Sequence, residues 1–273
     1  MTAAAVPRWS LLLLGCIVLA ALIVPVLSPW TYYTPSWDEI DLPPTWHNLH
    51  LLGTDDLGRD LLVRLMWGCR ISLLVALAAS LTSLVIGVLW GVSAGYAGGR
   101  LDGWMMRTVD VLYAVPFIPF VIVLTVLFGR NLVLLFVAIG AVSWLDTARI
   151  VRGQTLALRE REFITAARVG GMGSAQIVRR HILPNLAGIV AVYLTLTIPT
   201  VILVEAFLGY LGLGAQAPLT SLGVMIADGA AQLRARPRLL ICPAVLLALI
   251  VLCCNRIGDA LRDRFDPASG AGT

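Results

Sequence analysis

The side chains able to carry chemistry are few, and their placement argues against catalysis. The three histidines are His47, His50 and His181. His47 and His50 stand close together, but a protein zinc site takes three or four ligands and no third accompanies them. A solvated loop and no metal is the expectation there. The five cysteines, Cys16, Cys69, Cys242, Cys253 and Cys254, are odd in number and form no C-x-x-C pair. They read as small packing residues, with neither a disulfide framework nor zinc indicated. A covalent enzyme working inside apolar segments needs a nucleophile and a base on facing segments, yet no histidine lies in one. All twenty basic residues are arginine. A phosphate-binding loop needs its lysine on the β- and γ-phosphates, so any ATP must be hydrolysed by another chain. Three carboxylates remain within or beside apolar runs, where charge is costly: Glu205, Asp110 and Asp146. Glu205 is expected to line a pore or to meet a charge on another subunit. Asp110 and Asp146 are expected to pair with Arg107 and Arg149 near an interface.

The segments that hold these groups are built for lipid. The chain is 59% hydrophobic and only 13% charged, with a mean hydropathy of +0.88; soluble domains are about 25% charged. A membrane span needs about 20 mostly apolar residues. No residue between Arg8 and Asp38 is charged, and 11–27 is the heart of a first span. It reads as a retained helix, because no small-residue cleavage site follows it and Pro29 interrupts the zone where one would lie. Residues 31–68 carry prolines and acids, and Trp30, Trp37, Trp46 and Trp67 suit the headgroup belt. Further spans are expected at 71–99, 111–128 (bent by Pro116 and Pro119), 132–145, 182–204 (with Pro199 as a possible kink) and 239–255. Residues 208–222, rich in Gly and Pro, read as a loop or broken helix outside or re-entering the membrane. The sequence thus predicts an all-α membrane protein, a bundle of about six transmembrane helices. Its organisation is 1–30 as an N-terminal span, 31–68 as an interfacial segment, 69–267 as a five-helix core with a polar loop at 159–184, and 268–273 as a tail. Gly87, Gly91, Gly95 and Gly99 recur every four residues, which predicts one helix face open to close packing. Thirteen of the twenty arginines fall on one side, five of them in 159–180, if both termini are cytoplasmic. The positive-inside rule favours that orientation.

The most informative segment is 162–184. Glu162 to Val169 has good helix formers, Gly170, Gly171 and Gly173 interrupt them, and Ser174 is suited to cap a second short helix. A short helix across the mouth of a bundle, with small residues at Ala166 and Ala167, suits docking into another protein. Here the chain resembles the permease subunits of ATP-binding-cassette importers, whose signature is Glu-Ala-Ala, three residues, Gly, then a stretch ending in Leu-Pro. Ala166, Ala167, Gly171, Leu183 and Pro184 match it. Thr165 stands in place of the signature Glu, Glu162 one turn earlier is a substitute anchor, and His181 occupies a position often held by Ile. The resemblance implies that this loop is a coupling helix seated in an ATPase subunit.

Other stretches resemble the dipeptide, oligopeptide and nickel branch of that family. They are 52–60, with Gly53, Thr54, Asp55, Asp56, Gly58, Arg59 and Asp60, then 207–214 and 257–267. Residues 141–164 look most like the second membrane subunit of oligopeptide permeases. The resemblance implies the fold of a type I importer permease in a bacterial inner membrane, with 52–60 on the periplasmic side. It also implies a related permease, two ATPases and an external binding protein as partners, beside membrane lipid and without nucleic acid. No cofactor is expected in this chain, ATP and Mg belonging to the ATPases. The substrate it implies is a peptide, with a nickel chelate as the alternative. A secondary transporter should show repeated halves with charges at mid-membrane, and no convincing repeat is seen; a purely structural membrane subunit leaves the coupling loop unexplained.

Overall fold

The computed structural model describes residues 8–265; the expected tail at 268–273, with Asp266 and Pro267, lies outside them. The helices are α1 (Arg8–Leu27), α2 (Leu61–Ala97), α3 (Gly99–Tyr113), α4 (Phe117–Phe128), α5 (Leu132–Arg159), α6 (Glu162–Val169), α7 (Ser174–Ile177), α8 (Leu183–Tyr210), α9 (Leu222–Ala231) and α10 (Arg238–Phe265). A π turn over Val178–Ile182 joins α7 to α8, so 174–210 runs as one 37-residue rod. Pro184 has no N–H for an α-helical bond, and a wider turn just before it accommodates that loss. The Asn185 side-chain amide donates to the His181 carbonyl at 2.6 Å.

Five helices are long and apolar enough to cross a membrane, or six when α3 and α4 count as one broken span. The break is sharper than a proline kink: α3 and α4 meet at 77°, with Pro116 at the head of α4. By contrast α8 passes Pro199 as a single helix. Large apolar side chains such as Leu12, Leu27 and Val126 are more than two-thirds exposed on the outside of the bundle, as a lipid solvent requires.

α2 is the central element, packing on α1, α3, α5, α8, α9 and α10. It begins at Leu61, ten residues before the expected span, and so takes Arg64 and Arg70 into the helix. Arg70 is accommodated at the membrane edge. Its guanidinium donates to the Ala21 carbonyl at 2.9 Å and the Leu22 carbonyl at 3.0 Å, and lies 4.7 Å from the centre of the Trp67 ring.

The glycine register is a close helix contact. A β-carbon at Gly87 would stand 2.5 Å from Thr147, one at Gly91 2.6 Å from the Ala148 carbonyl, and one at Gly95 2.8 Å from the Arg152 carbonyl. α2 and α5 therefore meet backbone to backbone along three turns. Gly99 is not part of this seam, contrary to the four-residue spacing. It opens α3 at a φ of +57°, and nothing lies within 4 Å of its β-carbon position. Gly98 before it ends α2, so the helical register stops one turn early.

Candidate functional site

α6 lies across the same end of the bundle as the C-terminal end of α5, held by its own apolar face. Ile164, Ile177, Ile182 and Leu186 are almost fully buried with Val92 of α2 and Val151 of α5, and Ala167, Met172 and Leu183 pack on that cluster. The turn after α6 is closed by Gly171 at a φ of +82°. Its N–H donates to the Arg168 carbonyl and that of Met172 to the Ala167 carbonyl, both at 3.1 Å, a helix ending that favours glycine in the left-handed region. Ser174 is exposed and caps nothing; Gly173 holds the cap position, without a side-chain bond.

The expected docking residues divide between the two faces. Ala166, Thr165, Glu162, Gly171 and Pro184 are exposed, whereas Ala167, Leu183 and His181 are half-buried. Glu162 makes no hydrogen bond or ion pair among the described residues, so the loop is anchored by isoleucines and not by a carboxylate. The structure adds two residues that the signature does not contain: Phe163 is 43% exposed and Val169 84%. With Ala166 they follow each other at three-residue steps, which places them on one helix face. The sequence signal was present in that spacing, opposite the Ile164 and Ala167 face.

At the other end of the bundle, residues 36–60 fold into a clasp in which the 52–60 motif is structural. Gly53 and Gly58 have φ of +80° and +72°, and β-carbons there would meet the Leu42 and Ser36 carbonyls at 2.3 and 1.8 Å. The Thr54 hydroxyl accepts from the Leu42 N–H at 2.8 Å. Asp55 is buried and accepts from the N–H groups of Leu57 and Arg59, each at 2.9 Å. It also binds the guanidinium groups of Arg59 and Arg64. Asp60 caps α2 by accepting from the Val63 N–H at 2.7 Å.

His50 departs from the solvated-loop expectation. It is fully buried, its Nδ1 2.8 Å from Asp60 Oδ2 and its ring stacked on Trp30 at 4.4 Å; His47 is exposed. Among the described residues, no group of three or more His, Cys, Asp or Glu is arranged to hold a metal. The clasp is tied to the α9–α10 corner by Asp41, which pairs with Arg236 at 2.9 Å and Arg238 at 2.8 Å, and by Asp56, which accepts from Gln232 at 3.1 Å. Partial burial, then the Asp56 carboxylate, raises the Asp228 carboxyl above the usual carboxylate range against the opposing pull of Arg59.

The three carboxylates sort differently from expectation. Glu205 is fully buried inside the chain, and the Ser72 hydroxyl donates to it at 2.7 Å. The same hydroxyl accepts from the Leu222 N–H at 3.2 Å. Glu205 thus pins the start of α9 to α2 and α8, and its carboxylate lies inside the chain and off the open surface. Asp110 pairs with Arg149 at 2.8 Å and not with Arg107. Asp146 accepts from the Tyr113 hydroxyl at 3.0 Å, and the Arg149 guanidinium lies over the Tyr113 ring at 4.4 Å. These two acids, not Glu205, are the ones on the exposed surface.

Comparison with known proteins agrees with this architecture. Residues 87–270 match the family described as the binding-protein-dependent transport system inner membrane component. The oligopeptide transport system permease protein OppC of Haemophilus influenzae is 49% identical over 94% of this chain and 83% of that protein. The OppC protein of Escherichia coli is 50% identical over 94% of this chain and 85% of its own length. The dipeptide transport system permease protein DppC of Bacillus subtilis is 43% identical over 90% of this chain and 77% of that protein. Among solved structures, a chain of the MetNI methionine ABC transporter in an inward-facing conformation superposes with a TM-score of 0.58. It is 22% identical and covers 70% of this chain and 91% of its own, a likeness of fold.

Proposed function

Since the chain belongs to the family of binding-protein-dependent transport system inner membrane components, the non-catalytic membrane subunits of ATP-binding-cassette importers, we propose that it forms half of a translocation path for oligopeptides or dipeptides. The observation that carries the substrate class is the near-50% identity, over 94% of the chain, to permease proteins of oligopeptide transport systems. In this reading a second, related permease completes the path and two ATPase subunits, which hold ATP and Mg, close beneath it. An external binding protein delivers the peptide on the clasp side.

α6 is the element on which the ATPase acts. Its outer face presents Phe163, Ala166 and Val169, and its inner face is embedded among side chains of α2, α5, α7 and α8. Packed interiors deform little, so a push on α6 moves those helices as a unit and does not dissipate in the loop. ATP and loaded binding protein drive transport by each favouring one of the two arrangements of the bundle. The test is co-purification of a tagged chain with its ATPases, followed by ATP hydrolysis in reconstituted membranes. Hydrolysis should rise when binding protein loaded with peptide is added; a complex stimulated by a nickel chelate and not by peptide would overturn the substrate assignment.

The reading places residues 159–180 and both termini in the cytoplasm of a bacterial inner membrane. In a chain whose five native cysteines are replaced, His47→Cys and Ser174→Cys, each at an exposed position, are expected to react with an impermeant thiol reagent from opposite sides of sealed vesicles. Reaction of both from one side would refute the topology.

A further inference from the structure

α3 has an outward face that the transport reading leaves unused. Its inner face is firmly held. Arg152 binds Asp102 through two bonds of 2.6 Å, the Trp90 indole donates to the Met105 carbonyl at 3.2 Å, and Val109 is fully buried beside Trp144, Leu145 and Ala148. On the opposite face stand Arg100, Trp104, Arg107 and Val111, spaced as one helix face. Trp104 is 74% and Val111 64% exposed. Arg100, Gly103, Trp104 and Arg107 line a shallow groove of about 290 Å³. Gly103 leaves its floor open, with nothing within 4 Å of its β-carbon position. Neither Arg100 nor Arg107 makes a hydrogen bond or ion pair among the described residues, while Arg149, Arg152 and Arg159 on neighbouring α5 all have partners.

We propose that this face of α3 is a binding site for the headgroup of an anionic phospholipid. Arg159, at the C-terminal end of α5, donates to the Tyr96 carbonyl just before α3, so α3 starts at the coupling-loop end of the bundle, and the 77° break turns it away from the line of α4. An interfacial helix at that end places arginines at phosphate level and aromatic rings at the acyl boundary. Two arginines one face apart supply the charge for a phosphodiester, and Trp104 and Val111 supply apolar contact for the glycerol and upper acyl region. A free phosphate offers nothing to those two side chains, which is why the lipid is the occupant. The inference rests on the membrane placement of α4 and is independent of the transported substrate.

The assembled complex can test it with a photoreactive p-benzoylphenylalanine at position 103, in vesicles where phosphatidylglycerol is a minority in phosphatidylcholine. A second complex carries the same group at position 15, an exposed α1 glycine also without neighbours within 4 Å, as a measure of general lipid contact. Adducts identified by mass spectrometry are expected to be enriched in phosphatidylglycerol at position 103 by roughly tenfold over supply, since each arginine near the surface favours anionic lipid several-fold. At position 15 they should follow the supply. Arg100→Gln with Arg107→Gln should abolish the enrichment, and Arg100→Lys with Arg107→Lys should keep most of it. The proposal fails if adducts at 103 follow the supply, survive the glutamine pair, are displaced by inorganic phosphate, or form with a protein subunit instead.

Discussion

Gly91→Leu is expected to yield a chain that inserts into the membrane but does not hold α2 against α5. At this position a β-carbon alone would lie 2.6 Å from the Ala148 carbonyl, 2.8 Å from Val151 and 2.9 Å from the Arg152 amide. Two of those three neighbours are backbone, which cannot rotate aside, so the helices must separate. Overpacking a tight interface costs about 3 kcal/mol at the upper end of the usual range, and here the clash involves main chain on both sides. A loss of that size is over a hundredfold in an equilibrium constant. Because α5 leads directly into α6, separation also displaces α6. The measurement is the yield of assembled complex after membrane extraction, with Gly15→Leu as the control, where no atom lies within 4 Å. Wild-type yield and transport from Gly91→Leu would mean that the seam does not hold the bundle together.

Ala166→Arg is expected to remove the ATPase from an otherwise intact membrane subunit. The residue is exposed in the isolated chain and stands between Phe163 and Val169 on the outer face of α6, so the substitution disturbs no internal packing. A cation buried there without a partner costs on the order of 3 kcal/mol or more, again over a hundredfold in affinity. The expected result is normal membrane yield, loss of ATPase co-purification, and loss of peptide-stimulated hydrolysis. Ala167→Arg is a poorer probe, because Ala167 packs on the cluster around Ile164 and its replacement disturbs the fold together with the contact. His47→Arg, adding a charge at the opposite end, should leave ATPase binding unchanged. Retention of the ATPases and full turnover by Ala166→Arg would withdraw α6 as the coupling element.

What the sequence determined by itself is what local composition dictates. Apolar runs of span length have no other stable solvent than lipid, so the long helices could be read from hydropathy alone. The absence of lysine excluded a phosphate-binding loop without any reference to structure. The four-residue glycine spacing marked a close helix contact because lipid gives no reason to clear side chains from one face. The break after α6 was legible in the run of Gly170, Gly171 and Gly173, because glycine interrupts helices.

The tertiary structure decided the partners and the faces. In a membrane helix both faces are apolar, so hydropathy cannot say which one meets protein. At α6, outside the spans, the spacing of Phe163, Ala166 and Val169 marked a face, but the packing of Ile164 under α2, α5 and α8 decided that Ala167 turns inward and that this face stays outside. The charged and polar groups were misjudged for the same reason. Glu205 finds Ser72, distant in sequence, and becomes a buried pin; His50 finds Asp60 and Trp30 and leaves the solvent; Asp110 takes Arg149 from α5 in preference to Arg107 on its own helix. Each outcome depends on which segments the bundle brings within hydrogen-bond reach, and a polar group buried away from water settles wherever such a partner exists.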